Sequence, residues 1–320
     1  FFSYFSQSQW CDPYLIQMRK RVASNDYKSG GFSPSPLDIN DVKNPHFWRR
    51  DIAKIIALWV TSTAATGLVL RAMFHALSVP SNLPAAVEND KSSWFWVVVK
   101  TLTSLEGVKE IAHICQLYAA ENYALALLAH CICFLYLQAW AIPGTIAFNL
   151  LGGALFGMVV GWPLCLVYNT VGSCLLFYLS HFFGGRIVNR FFPNKLMKFK
   201  EMVSDNASDN RTLFIYMTSI RIFPFTPNWF INVASPQLSI PVTTFAPSVF
   251  IGLAPYNFFT CKAGLILSSI TSKRDIISYS TSIQLALLAA GGFLLPTLLK
   301  KFLDKELVKA ETPRNSERLA

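Results

Sequence analysis

One apolar run constrains this chain more than any other feature. From Asn122 to Phe183 the sequence contains no Asp, Glu, Lys or Arg. A single bilayer crossing takes about 20 mainly apolar residues, so this run is long enough for more than one crossing. The whole chain is 14% charged, against roughly 25% in soluble proteins. The sequence therefore predicts a polytopic membrane protein and excludes a soluble globular domain.

The apolar runs are expected to form helices. Lipid offers no hydrogen bonds to the backbone, and transmembrane strands would alternate in polarity, whereas these runs are continuous. We predict an all-α polytopic membrane protein with about six transmembrane helices. The basic residues that flank the first and last runs place both termini in the cytosol and require an even number of crossings. If 143–161 and 212–240 are both re-entrant, five long spans remain, which is an odd number. Either 143–161 therefore crosses fully or part of 93–121 does.

Composition divides the chain into five segments. We predict a disordered polar and basic tail, a first transmembrane helix with an interfacial segment, a central core, a last transmembrane helix and a polar tail. Their predicted boundaries are 1–50, 51–120, 121–272, 273–300 and 301–320.

Two hydrophobic segments of the core are interrupted by glycine and proline, one at 143–161 and the other at 212–240. Paired broken segments are typical of binding sites formed by discontinuous helices. In the first segment, glycines four residues apart predict one close-packing helix face, and a break is expected at Gly161-Trp162-Pro163. The interrupting residues are Pro143, Gly144, Gly153, Gly157 and Gly161 in the first segment, and Pro224 and Pro227 in the second.

Arg221 is the charge inside the second broken segment. A charge at the bilayer centre costs about 2.5–3.5 kcal/mol, so we expect Arg221 to face a polar groove, with snorkelling to the interface as the alternative. Asn228 and Asn232 are four residues apart and share a helix face beside that groove. Lys262 either reaches the same cavity or snorkels. Interhelical hydrogen bonding is the favoured interpretation of three further polar residues, Asn149, Asn169 and Tyr178.

Carboxylates are absent from 122–200 and from 210–274. A basic cavity without carboxylates favours an anionic ligand, and a phosphate fits that description. Proton-coupled transporters usually relay protons through intramembrane Asp, Glu or His, and this core offers His130 and His181, each favoured as a packed polar residue. We find no motif of a soluble enzyme and predict no enzymatic reaction, cofactor or metal site. The basic flanks indicate lipid and not nucleic acid as partner.

Several strings in the core resemble the VTT, or DedA-like, membrane proteins. Pro143-Gly144 followed by Leu150-Leu-Gly-Gly-Ala-Leu-Phe-Gly157 resembles their first re-entrant element, and Gly172-(x)5-Tyr178-(x)5-Gly184 the helix after it. The string from Arg221 to Asn232, together with Ile251-Gly-Leu-Ala-Pro-Tyr-Asn257-Phe258, is similar to the eukaryotic transmembrane-protein-41 (stasimon) branch. The resemblance covers roughly residues 120–270.

The resemblance implies a passive phospholipid scramblase of the endoplasmic reticulum that supports lipid supply and autophagosome assembly, with phospholipids and autophagy membrane proteins as partners. It implies a lipid path along two re-entrant elements, and further candidates are Lys262, Asn257 and Tyr178. The implied path residues are Pro143, Gly144, Gly153 and Gly157 in the first element, and Arg221, Pro224, Pro227, Asn228 and Asn232 in the second. The bacterial branch carries an acidic residue where this chain reads Thr145-Ile-Ala-Phe-Asn149, which favours passive movement over proton-driven exchange.

Two other functions stay open at this point. One is an ion-coupled transporter of a phosphorylated lipid or small anion, which would depend on His130 or His181. The other is a membrane assembly scaffold, which would recruit partners through the face of Gly153, Gly157 and Gly161.

Overall fold

The computed structural model describes residues 49–77, 116–206, 209–222 and 227–269, with single positions at 283, 290–292, 294, 298 and 299. Over these ranges all regular structure is helical, which confirms the all-α prediction. The tails, the interfacial segment at 93–115 and most of the last span lie outside the described residues. The domain boundaries and the number of crossings therefore stay predictions.

Two helices precede the first broken segment. Helix α1 spans Arg49–Ala76 and α2 spans Tyr123–Ala139. The two helices meet where the Thr63 hydroxyl hydrogen-bonds to the Tyr136 hydroxyl. The chain leaves α2 through a turn in which Ala141 (φ 52°) and Gly144 (φ 136°) both have positive φ. Gly144 caps the next helix, a conformation that glycine adopts at little cost.

Helix α3 spans Thr145–Leu179 but consists of two arms that meet at Gly157 (φ 67°, ψ −177°). A Cβ atom on Gly161 would lie 2.3 Å from the carbonyl oxygen of Gly152. In a continuous helix these residues would be about 13 Å apart along the axis. The Cys165 sulfur likewise lies 4.0 Å from the carbonyl oxygen of Phe148. The first arm (145–156) therefore folds back on the second arm (158–179) as a helical hairpin.

This hairpin corrects two of our predictions. The break lies at Gly157 and not at Gly161-Trp162-Pro163, because Pro163 is accommodated inside the second arm. The glycines do not lie on one helix face, although two of them allow the close backbone approach predicted for them: Gly161 packs against Gly152, and a Cβ on Gly153 would lie 1.9 Å from the Cys261 carbonyl oxygen. The first arm rises about 18 Å, which is too short to cross the bilayer alone.

A π-helical turn, Ser180–Gly184, follows α3 and leads into three helices. The Ser180 hydroxyl donates to the Val233 carbonyl oxygen (2.7 Å), and the Gln237 amide donates to the Ser180 carbonyl oxygen (2.9 Å). The turn is therefore held by the second broken element. The segment 184–210 contains α4 at Gly185–Phe191 and α5 at Pro193–Asn206, and α6 follows at Asn210–Ile222.

The chain ends its described part with α7 at Asn228–Ala234, a 3₁₀ turn at Ser235–Leu238 and α8 at Val242–Ser269. Helix α8 continues through Pro247 and Pro255, as membrane helices do when neighbouring groups satisfy the freed backbone. Among the described residues, three stretches of helix are long and apolar enough to cross a membrane. They are Arg49–Ala76, Thr145–Gly184 (α3 together with the π-helical turn) and Val242–Ser268.

The centre of the protein is the contact between α8 and the first arm of α3. A Cβ atom on Gly264 would lie 1.9 Å from the carbonyl oxygen of Leu150, as one on Gly153 would from that of Cys261. The two backbones therefore touch, which small residues permit in membrane helices. The buried apolar side chains of the described residues form two clusters. One cluster contains Met217, Ile231, Phe245 and Val249, and the other contains Phe134, Cys165, Tyr168 and Cys261.

Candidate functional site

The second broken element begins where α6 ends and α7 begins. Pro227 caps α7 with an extended backbone (φ −70°, ψ 94°), and its carbonyl oxygen accepts the amide hydrogens of Phe230 (2.9 Å) and Ile231 (3.3 Å). The fixed φ of proline suits this position ahead of a helix. The predicted site residue Pro224 lies outside the described residues. The break brings the end of α6 against the start of α7.

Arg221 lies at this junction and is 4% exposed. Its Nη1 atom donates to the side-chain oxygens of Asn228 and Asn232, the latter at 2.9 Å. The spacing of four residues predicted that these asparagines share a face, and both oxygens indeed accept from one nitrogen. The guanidinium also stands 4.7 Å from the centre of the Phe245 ring, close enough for a cation–π contact.

The other edge of the guanidinium has no partner among the described residues. The Nε and Nη2 atoms of Arg221 are buried and make no hydrogen bond to the described residues. A buried charge without an opposite charge is costly, and the sequence offers no Asp or Glu between 210 and 274 or between 122 and 200. Two parallel N–H groups on one guanidinium edge match two oxygens of a phosphate or carboxylate. This edge of Arg221 therefore presents two hydrogen-bond donors of the kind that bind anionic groups.

Hydrogen bonds between neutral side chains orient Asn232 in this site. The Asn232 amide nitrogen donates to the Ser173 hydroxyl oxygen (3.0 Å), and the Gln138 amide nitrogen donates to the same oxygen (2.9 Å). Because the side-chain nitrogen of Asn232 donates to Ser173, its side-chain oxygen faces Arg221. We did not single out Gln138 or Ser173 from the sequence. The signal was their polarity inside apolar runs, which marks interhelical hydrogen bonds in membrane proteins.

Helix α8 closes the site on one side through Gly252. A Cβ atom there would lie 2.7 Å from the Arg221 Cβ and 3.1 Å from the Thr218 carbonyl oxygen. Glycine therefore lets α8 approach the backbone of α6, and Phe245 on the same helix faces the guanidinium.

The first broken element carries a separate cluster of neutral amides. Asn149 on the first arm and Asn169 on the second arm both donate to the side-chain oxygen of Asn257 on α8, each at 2.8 Å. All three side chains are buried. The interhelical hydrogen bonds predicted for Asn149 and Asn169 are confirmed, and Asn257 is their shared acceptor.

The chain is similar to named proteins over most of its length. A VTT domain matches residues 142–265, a range that holds both broken elements and most of α8. The Transmembrane protein 41 homolog of Caenorhabditis elegans is 32% identical over 229 residues, which cover 72% of this chain and 89% of that protein. The chain belongs to the transmembrane protein 41 family.

Further members of the transmembrane protein 41 family support this assignment. The Dictyostelium discoideum homolog is 36% identical over 204 residues, which cover 64% of this chain and 60% of that protein. Transmembrane protein 41B of Homo sapiens is 28% identical over 239 residues, which cover 75% of this chain and 79% of that protein. No solved structure matches the chain. The family resemblance given by the motifs is confirmed.

The structure gathers only part of the predicted path residues of this family member around one point. Arg221, Asn228 and Asn232 contact one another directly. Gly153 and Gly157 belong to the hairpin, and Pro143 and Gly144 to the turn ahead of it. These four residues shape the first element and make no contact with Arg221 among those described. Their role in a lipid path stays a prediction.

Two further candidates lie away from Arg221. Lys262 is half-buried on α8, about 15 Å farther along the helix axis than Gly252. Tyr178 is 43% exposed on the second arm of α3 and packs edge-on against Phe177. The interhelical hydrogen bond predicted for Tyr178 has no counterpart among the described contacts.

His130 occupies a third position, against the first arm. It is 4% exposed, and its Nε2 atom lies 2.9 Å from the Phe148 carbonyl oxygen. Aromatic rings surround the imidazole. His130 is therefore a packed polar residue, as predicted, and it fixes α2 to the hairpin. Within the described part of the chain no group of three or more His, Cys, Asp or Glu side chains lies close enough to hold a metal ion.

Proposed function

We propose that this member of the transmembrane protein 41 family is a passive phospholipid scramblase of the endoplasmic reticulum membrane. It would supply lipid for mobilisation and autophagosome assembly. The observation that carries the proposal is the buried Arg221 guanidinium, whose Nε and Nη2 atoms have no partner among the described residues. Every phospholipid headgroup carries a phosphate, which provides two oxygens that accept hydrogen bonds from this edge.

Movement of lipid past this site requires the second element to open. Arg221 is buried between α6, α7 and α8, so we propose that α7 moves away from α8 when a headgroup arrives. Its two asparagines would keep the guanidinium oriented during this motion. A charge–phosphate contact would offset part of the cost of moving a headgroup through the bilayer interior, while the acyl chains stay in lipid.

The scarcity of proton carriers supports a passive process. The described part of the core lacks carboxylates between 122 and 200 and between 210 and 269, and His130 already contacts the Phe148 carbonyl oxygen. A scramblase needs only a path that lowers the barrier equally in both directions. The driving force is then the difference in lipid concentration between the two leaflets.

The test is lipid scrambling by the purified protein in vesicles without ATP or an ion gradient. Fluorescent phospholipid is placed in both leaflets, and a reductant that cannot cross the membrane bleaches the outer leaflet. We expect bleaching to proceed well past the half that empty vesicles show, because inner lipids reach the outside. Bleaching that stops at one half in vesicles shown to contain folded protein would contradict the proposal.

One observation favours a second function, ion-coupled transport of a phosphorylated lipid or small anion. The Nδ1 atom of His130 is buried and has no partner among the described residues, while Nε2 lies 2.9 Å from the Phe148 carbonyl oxygen, so Nδ1 offers the lone pair that a carried proton would occupy. The same vesicles distinguish the two functions when a proton gradient is applied. Transport that needs the gradient and disappears in His130→Gln favours coupling, whereas gradient-independent movement favours the scramblase.

A further inference from the structure

Helix α5 is a surface helix that carries buried apolar and exposed basic side chains. Leu196 and Phe199 are buried, and the Phe199 ring contacts Phe230 of α7 with ring centres 6.2 Å apart. Lys195 and Lys198 of the same helix are exposed. Their spacing of three residues places both ammonium groups on one stripe of the helix.

Large apolar side chains are exposed next to these lysines. Met197 is 37% exposed and Met202 47%, and Phe191 at the end of α4 is 53% exposed. Basic and large apolar side chains exposed together on one amphipathic helix are typical of helices that lie in the membrane interface. A helix surrounded by water would not gain from exposing these residues.

The charge of this region is positive on balance, since Glu201 and Asp205, later in α5, are outnumbered by the basic residues before them. From Gly184 to Lys200 the sequence contains five basic and no acidic residues. Lys200 is half-buried, and burial lowers the pKa of its ammonium group. The exposed positive charges of α5 are therefore those of Lys195 and Lys198. Each Lys or Arg near an anionic membrane surface contributes about 1 kcal/mol of attraction.

The position of α5 connects it to the Arg221 site. Phe192, which precedes α5, stacks against Trp229 and Phe230 of α7 with ring centres 5.8 and 6.4 Å apart. Trp229 is itself 43% exposed, and tryptophan is enriched at membrane interfaces. Helix α7 also holds Asn228 and Asn232, which orient Arg221. The basic stripe therefore lies on α5, a helix that packs against α7, and α7 borders the Arg221 site.

We propose that the exposed face of α5, with Lys195 and Lys198, is a docking surface for the headgroups of anionic phospholipids in the adjoining leaflet. The lysines attract the headgroups, and the exposed methionines lie between the upper acyl chains. This surface collects anionic lipid beside α7. It is distinct from the guanidinium site, and it would exist whether or not the chain moves lipid between leaflets.

The test measures lipid selectivity at the protein surface and not transport. The protein is reconstituted in phosphatidylcholine vesicles that contain a trace of spin-labelled phosphatidylglycerol or spin-labelled phosphatidylcholine. Electron paramagnetic resonance gives the fraction of each label immobilised by the protein. We expect preference for phosphatidylglycerol in the native chain, weaker at high salt because salt screens exposed charges.

Three variants make the measurement specific. In Lys195→Gln/Lys198→Gln the preference should fall about three-fold or more. It should persist in Lys195→Arg/Lys198→Arg, which keeps the charge, and in Lys54→Gln/Arg71→Gln, which removes two exposed charges from α1. The proposal is overturned if the glutamine variant of α5 keeps the native preference, or if the α1 variant loses as much.

Discussion

The two broken elements interrupt apolar sequence in different ways. The first turns back at Gly157 and fits against α8 through backbone contacts at Gly153 and Gly264, and its amides pair with other amides. The second breaks next to Pro227 and holds Arg221 with an unpartnered guanidinium edge. We therefore propose that the first element serves packing and the second serves a ligand. Substitutions in the first should change stability, and substitutions in the second should change lipid movement.

The largest effect on stability is expected at Gly153. A Cβ atom there would meet the Cys261 carbonyl oxygen at 1.9 Å, and backbone cannot move aside as a flexible side chain can. We expect Gly153→Ala to lower the free energy of unfolding by about 3 kcal/mol or more. Thermal unfolding in detergent, followed by intrinsic fluorescence, measures the loss.

Gly67→Ala is the matched control, since nothing lies within 4 Å of that Cβ position in α1. Alanine in place of glycine inside a helix should stabilise by up to about 1 kcal/mol. Equal unfolding temperatures for the two variants would show that the close contact with α8 is not what holds the hairpin.

The next effect is expected at Asn257. Asn257→Ala removes the oxygen that accepts from Asn149 and Asn169, so two buried amides lose their partner. We expect a loss of about 2 kcal/mol of stability and an unchanged scrambling rate per folded molecule. Unfolding and vesicle assays on the same preparation measure both. A strong loss of scrambling with native stability would move the lipid path into the first element.

Gly157→Ala should have a smaller effect on stability. Space is open around its Cβ position, but the backbone has φ 67° and ψ −177°, a region confined almost entirely to glycine, and a residue with a Cβ there costs about 1–2 kcal/mol. Gly157→Asn is the comparison and should lose as much, because asparagine tolerates the left-handed helical region but not this extended ψ. If both variants unfold like the native chain, the turn is not at Gly157.

Ser173 should give the smallest loss of stability and connect the two measurements. Ser173→Ala removes the oxygen that accepts from Gln138 and Asn232, at a cost of about 1 kcal/mol. Because Asn232 loses its orientation, scrambling should also slow. In an Arg221→Met background Ser173→Ala should slow scrambling no further. Additive losses would mean that Ser173 acts on transport independently of Arg221.

The sequence supported the prediction of two broken elements but misplaced the first break. Proline is the more typical helix breaker, so the break in the first segment was predicted at Gly161-Trp162-Pro163. Pro163 instead sits inside the second arm, and the chain turns at Gly157. The spacing of Gly153, Gly157 and Gly161 predicted one helix face, which holds only if the helix is continuous. The contacts of Gly161 with Gly152 and of Cys165 with Phe148 show that the chain has reversed.

The local part of the Arg221 site was more predictable than its surroundings. A four-residue spacing indicated that Asn228 and Asn232 act together, because helix geometry is local. The contribution of Ser173 depends on a contact with Asn232 across 59 positions, and Asn257 meets Asn149 across 108. Nothing in a single apolar sequence specifies which of several buried polar residues pair over such distances.

We propose that the charge of Arg221 serves lipid movement and not stability. Arg221→Met in the vesicle scrambling assay is the direct test of this role. Methionine fills a similar volume without a buried charge, so the free energy of unfolding should change by no more than about 1 kcal/mol. A hydrogen bond to a charged group contributes about 1.5–3 kcal/mol, so scrambling should slow about ten-fold or more. Scrambling at the native rate per folded molecule would contradict the account, as would a loss that only parallels unfolding.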